Sequence, residues 1–231
     1  MSPNVPARAV ALVCFTAVLV VSGCVGNGDD TVQVGRLRTE DTHVGIGEAQ
    51  AVRVNVDMGS GDLRIVPGGD HLMDATFRYN VDPWKPRFSY VEEEEYWNLT
   101  VWQPQQDLEV EGNARNEWDL SFGLVVPMEV RVRMGAGDAS VKVSGLDIVA
   151  LSVSTGAGEV DLDMSGNWAD NVVVRVGTGA GDVGIIVPSS VGVQVSVVQG
   201  AGTVIAPGFE RVQGNYVNDA FETAAVVMLI A

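Results

Sequence analysis

The chain has 231 residues, 27 of them Gly and 46% hydrophobic, enough for one sizeable core and without the composition of a disordered chain. Its formal net charge is −16 with 14 Lys and Arg, so nucleic acid and anionic lipid headgroups are excluded as natural partners, because binding phosphates needs clustered cations. Aromatics make up only 6% and Val dominates the apolar set, which suits pleated surfaces and predicts an all-β fold.

In chain order the first feature is a targeting segment. One charge, Arg8, precedes the apolar run 9–21, which is too short for a spanning helix of roughly 20 residues and reads as a secretory signal over residues 1–23. Val21-Ser22-Gly23-Cys24 resembles a prokaryotic lipobox, which implies a diacylglycerol thioether on Cys24 and a lipid-anchored protein facing outside the cytoplasm. Each buried lipid methylene contributes about 0.8 kcal/mol, so two acyl chains give a durable anchor. Losing Arg8 with the signal lowers the net charge by one, to −17. The mature chain then has no free thiol and no possible disulfide, because Cys14 leaves with the signal and Cys24 carries the lipid. Residues 24–34 read as the lipidated Cys and a flexible tether.

The domain expected over 35–231 has a less regular part, 35–126, and a repetitive part, 127–231. Gly59-Ser60-Gly61, Gly135-Ala136-Gly137, Gly156-Ala157-Gly158, Gly179-Ala180-Gly181 and Gly200-Ala201-Gly202 recur, the last four at spacings of 21, 23 and 21 residues. Apolar columns align around them: Val54, Val130, Leu151, Val174 and Val195 lie five residues before, and Leu63, Ala139, Val160, Val183 and Val204 lie two residues after. The positions between are mostly polar. Alternation on both flanks of a fixed glycine turn predicts two half-buried strands meeting at a bend. A meander of hairpins satisfies this pattern, but column identity favours a parallel β-solenoid with one hinge per coil and Val stacked on Val. Roughly eight coils fit from Val52 onward, a prism about 40 Å long at strand spacing. The 76 residues from Gly59 to Gly135 leave room for about three coils with insertions.

Within that gap Pro83-Trp84-Lys85-Pro86 marks a turn, and Glu92–Glu95 a solvated loop tip. Tyr79-Asn80, Trp84-Lys85-Pro86, Gln103-Pro104, Asn116-Glu117-Trp118-Asp119-Leu120, Val126-Pro127, Met134–Asp138, Ser165-Gly166-Asn167-Trp168 and Tyr216–Ala220 together resemble the toast-rack domain. That family is similar to the C-terminal region of cell-wall-active antibiotics response proteins and to adhesin-like repeat domains. The resemblance spans about residues 35–231. It implies a right-handed single-stranded parallel β-helix in the cell envelope and brings no catalytic residues with it.

Candidate chemistry is sparse. Gly179–Gly184 matches G-x-G-x-x-G, but the dinucleotide fingerprint needs a helix next, and Ile185-Ile186-Val187-Pro188 follows instead. His43 and His71 are the only histidines, too few for a zinc cluster or a triad network. No cofactor, resident metal or catalytic residue is expected. An acidic residue follows each of four hinges, namely Asp62, Asp138, Glu159 and Asp182. Stacked coils would align them, either splayed into water or holding a hard cation such as Ca²⁺. Asn98-Leu99-Thr100 is a glycosylation sequon. The apolar segment Ala224–Ala231 reads as a last buried strand whose free edge offers self-association.

These features describe a non-enzymatic, lipid-anchored envelope protein acting as a binding, scaffold or envelope-stress-sensing module on a protein or glycan partner. An adhesin-like or self-assembling structural surface protein is the alternative, and a polysaccharide-acting β-helix enzyme using carboxylates and Arg a remote one.

Overall fold

The computed structural model describes residues 31–93, 96–104, 108–124, 126–197, 204–224 and 227–230. The signal segment, Cys24, most of the tether and the fifth hinge, Gly200 to Gly202, lie outside the described residues.

Strands β1 (Thr31–Gln33), β2 (Arg38–Val44), β3 (Val52–Ser60), β4 (Asp62–Pro67) and β5 (Met73–Tyr79) lead through a 3-10 turn at Asp82–Trp84. There follow β6 (Arg87–Glu92), β7 (Trp97–Trp102), β8 (Glu109–Glu111) and β9 (Asn116–Phe122). The regular part comprises β10 (Met128–Ala136), β11 (Ala139–Lys142), β12 (Ile148–Ala157), β13 (Val160–Asp163), β14 (Val172–Ala180) and β15 (Val183–Ile186). Last come β16 (Gly192–Val195), β17 (Phe209–Val212), β18 (Asn215–Asn218) and β19 (Val227–Ile230). The fold is all-β, as composition and alternation predict.

Two sheets face each other. The larger has ten strands in the order β17-β18-β16-β19-β14-β12-β10-β3-β7-β6, and the smaller has seven, β15-β13-β11-β4-β9-β5-β2. Each of the four described Gly-x-Gly hinges carries the chain from the larger sheet into the smaller, as between β10 and β11. Successive coils stack in parallel with the hinges aligned: Val54, Val130, Leu151 and Val174 are register partners in one sheet. Leu63, Ala139, Val160 and Val183 are partners in the other. Apart from Val183, these inward columns are buried and fuse into one core, because alternation sends every second side chain between the sheets. A bulge opposite Met128 and Glu129 makes room for one extra residue in β12.

Stacking order departs from chain order in two places, which corrects the expectation of about eight consecutive coils. The 76-residue gap supplies one coil-like unit, β7 with β9, and it stacks outside the β3–β4 coil rather than after it. β5 and β2 then extend the smaller sheet antiparallel, and β6 does so for the larger. Antiparallel additions of this kind end a ladder without leaving a long parallel edge. The second departure is at the C-terminus, where β19 inserts between β14 and β16. The C-terminal strand is therefore an interior strand and not the free edge expected of Ala224–Ala231. Thr31–Gln33, placed in the tether by the sequence, pair with Glu109–Glu111.

Candidate binding groove

The hinge is a corner made of backbone. The second glycine of each has positive φ, from +117° to +136° at Gly61, Gly137, Gly158 and Gly181, a region that side chains disfavour. Close approach of neighbouring layers adds a second demand. A Cβ on Gly135, Gly156 or Gly179 would run into the carbonyl oxygen of Gly59, Gly135 or Gly156 in the layer before, and Gly137, Gly158 and Gly181 meet Gly61, Gly137 and Gly158 in the same way. Hydrogen bonds pass straight through the turn, with Gly61 N donating to Ala136 O at 3.1 Å, Gly137 N to Ala157 O at 2.9 Å and Gly158 N to Ala180 O at 2.8 Å.

The β7–β9 coil has no glycine hinge, and side chains end the column there. Gln103 Oε1 accepts Gly59 N at 2.9 Å and Asn116 Nδ2 at 2.9 Å. Asn116 Nδ2 also donates to Ser60 O at 2.8 Å, and Asn116 Oδ1 accepts Trp118 Nε1 at 2.9 Å. Gln103 and Asn116 are buried, and their bonds satisfy amides that the missing layer would otherwise have met.

The exposed residue after each described hinge stands at the start of a strand of the smaller sheet, Asp62 as the first residue of β4 and Asp138, Glu159 and Asp182 just before β11, β13 and β15. Asp62, Asp138 and Glu159 come together there and line one wall of an open groove of about 370 Å³. Arg64, Glu117, Asp119, Ser140 and Asp161 complete its polar lining, and Trp118 and Leu63 form its floor. Asp182 continues the row one strand further and does not line the groove. Glu117 and Asp119, which the sequence offers only within the toast-rack motif, are not marked there as site residues because their coil lacks the Gly-x-Gly marker. The alternation of Asn116–Phe122, with Asn116 in the place of Gly61, carries the signal, and the register pairs Asp62 with Glu117 and Leu63 with Trp118.

The groove carboxylates differ in their partners. Asp119 pairs with Arg78, and Glu117 with Arg115 at 2.6 Å. Asp62, Asp138, Glu159 and Asp161 have no ion-pair partner among the described residues; Asp138 Oδ1 accepts the backbone N–H of Glu159 at 3.0 Å. Beyond the groove, Asp163 accepts Ser165 N at 3.0 Å, and the bonds from Ser165 hold its carboxyl below the usual range. Among the described residues, no three His, Cys, Asp or Glu side chains converge as a metal set would. His71 stacks on His43 with centroids 4.3 Å apart and reaches Asp74 at 2.7 Å, outside the groove. Asn98 accepts Asn55 Nδ2 at 2.9 Å on the outer face of the larger sheet.

That outer face contrasts with the groove. Its arginines are largely consumed by their neighbours: Arg53 binds Glu129 at 3.0 Å, Arg131 the same carboxylate group at 3.3 Å, and Arg133 holds Asp57 through two bonds of 2.6 and 3.1 Å.

Stacked coils between two sheets, turned by glycine corners and bearing an open carboxylate face, define an all-β protein of parallel and mixed sheets. The chain belongs to the toast-rack family: the profile described as the N-terminal domain of toast_rack, DUF2154, matches residues 33–186. Among solved structures it is similar to a candidate cell adhesion protein from Clostridium sporogenes ATCC 15579, at 29% identity and a TM-score of 0.79, covering 84% of this chain and 93% of that one. Candidate adhesins from Parabacteroides distasonis ATCC 8503 and Bacteroides fragilis NCTC 9343 align at 13% and 8% identity, each with a TM-score of 0.29. The first alignment covers 69% of both chains, and the second 87% of this chain and 100% of that one. Superposition that loose adds nothing to the reading. No curated protein matches the chain in sequence.

Proposed function

We propose that this chain is a non-catalytic, adhesin-like binding module of the cell envelope, anchored by lipid on Cys24, that presents the groove of the smaller sheet to a partner rich in amino or hydroxyl groups. The observation that carries the reading is the set Asp62, Asp138, Glu159 and Asp161, four carboxylates on adjacent strands without an ion-pair partner among the described residues. Like charges held side by side at strand spacing destabilise a sheet unless something offsets them. A cationic or hydroxyl-bearing partner does so while gaining charge-assisted hydrogen bonds. A binding role accords with the open groove, whose lining has one hydroxyl, Ser140, and no histidine to activate it. The adhesive role assigned to the Clostridium structure supports the same reading. Envelope-stress sensing would use the same groove, with the partner as signal.

The test uses two variants. Asp138→Asn/Glu159→Gln/Asp161→Asn should weaken binding to envelope fragments of the producing cells at least tenfold and flatten its salt dependence; unchanged binding would sink the groove reading. Cys24→Ala should move the protein to the soluble fraction, and its retention on membranes would remove the anchor from the account.

A further inference from the structure

The two sheets end at different heights. Beyond β14 the larger sheet continues through β19, β16, β18 and β17, whereas among the described residues the smaller sheet ends with β15. β15 is hydrogen-bonded to β13 on one side, and among the described residues no strand pairs with its other side. The core columns record the open side of β15. Leu63, Ala139 and Val160 are 0–2% exposed, but Val183 in the same column is 40% exposed. In the next column Ile65, Val141 and Leu162 are buried and Ile185 only half-buried, while Ile186 is 61% exposed.

Natural sheet edges are usually blunted by charge, bulges or an inward lysine. This one has none of these. From Val183 to Phe209 the chain runs 27 residues without an Asp, Glu, Lys, Arg or His, in a protein of net charge −16. Val197 and Ile205, both exposed, belong to the same stretch.

We infer that β15 is a homotypic pairing edge, taking β15 of a second copy antiparallel across a two-fold axis and fusing the two smaller sheets into one of fourteen strands. Two observations select a second copy. Strongly acidic molecules of one kind repel each other over most of their surface, and the uncharged end is where that repulsion is least. Antiparallel pairing centred on Ile185 sets Ile185 against its own copy and Val183 against Val187 of the partner on the inner face, and brings the two Ile186 side chains to diagonal positions on the outer face, so each apolar side chain left bare in the monomer gains an apolar neighbour. It also carries the two Asp182 carboxylates to opposite ends of the ladder, about 20 Å apart. A parallel addition would lengthen the acidic row instead. A closed two-fold leaves no further edge at β15, so association stops at the dimer. This inference is independent of the groove, which lies on the outer face of strands β4, β9, β11 and β13.

The experiment is sedimentation equilibrium of the full chain over a hundredfold concentration range, on the wild type, Ile186→Lys and Val183→Lys, with circular dichroism as the check of folding. The wild type should move from one to two chain masses, and Ile186→Lys should raise the dissociation constant at least tenfold while keeping the strand spectrum. Ile205→Lys, in the same uncharged stretch but outside the strand, should leave the dimer intact. A wild type of one chain mass throughout would overturn the proposal. So would a folded Ile186→Lys protein that dimerises as tightly as the wild type, and so would a dimer lost on Ile205→Lys but kept in both β15 variants. Val183→Lys serves as the second edge variant if Ile186→Lys does not fold.

Discussion

Gln103 Oε1 accepts the backbone N–H of Gly59 at 2.9 Å, so a side-chain amide stands where the hinge of one more coil would lie. The same oxygen accepts Asn116 Nδ2, and Gln103 is buried. Gln103→Leu keeps the bulk, strands the Gly59 N–H and leaves Asn116 Nδ2 with Ser60 O alone. We expect a loss of about 1–3 kcal/mol, the cost of buried unsatisfied groups, read as a lower urea midpoint at an unchanged slope. A midpoint equal to that of the wild type would show that the column needs no such cap.

Two alanine substitutions separate the corner from ordinary glycine. In Gly137→Ala the new Cβ meets Gly61 O at a φ of +117°, so strain and overpacking add. We expect a loss of at least about 3 kcal/mol or failure to fold. Gly177→Ala places a Cβ with nothing within 4 Å, on an outward position of β14. It should change stability by less than about 1 kcal/mol, in the stabilising direction if strand entropy decides. Equal effects at the two sites would contradict the stacking of hinge on hinge.

Acid stability should depend on Glu40. Partial burial pushes its carboxyl up, but hydrogen bonds from Lys85 at 2.8 Å and Tyr79 at 2.6 Å outweigh this and hold it below the usual range. A depressed folded value means that the contribution is present above the unfolded value and is lost as pH falls through the folded one. The pair is partly exposed, so at most about 1 kcal/mol is at stake. Glu40→Gln should be less stable than the wild type at pH 7 and should approach it below pH 4; a constant difference would contradict the linkage.

At the alkaline end the sign reverses. Burial raises the Tyr90 hydroxyl to about 12, and burial with the Glu40 contact raises Tyr79 as well. Folding then retains protons that the unfolded chain loses, so stability falls as pH rises above the unfolded tyrosine value of about 10. Absorbance titration should show two of the four tyrosines ionising late, and Tyr90→Phe should remove one late step. The Tyr90 hydroxyl donates to Ile46 O at 2.8 Å, so the variant leaves that carbonyl without its partner.

Much of this was legible beforehand because a hinge fixes register. Aligning Gly135, Gly156 and Gly179 places Val130, Leu151 and Val174 opposite one another, and the ladders keep those pairs. The same alignment brings Asp62, Asp138 and Glu159 to one face. Stacking order was not legible, since period-two alternation is the same whether a strand joins the next layer or an outer one. The insertion of β19 beside β14 and the placement of β7 outside β3 are set by tertiary pairing that local pattern does not encode. Asn116 in a glycine's place hid Glu117 and Asp119 from a search keyed on Gly-x-Gly.

Mass-spectrometric footprinting of carboxylates, in free protein and in protein bound to envelope fragments, tests the binding face most directly. The account predicts that Asp62, Asp138, Glu159 and Asp161 lose reactivity on binding, while Asp57 and Glu129 on the opposite face keep theirs. Protection of Asp57 and Glu129 with the groove carboxylates still reactive would contradict it.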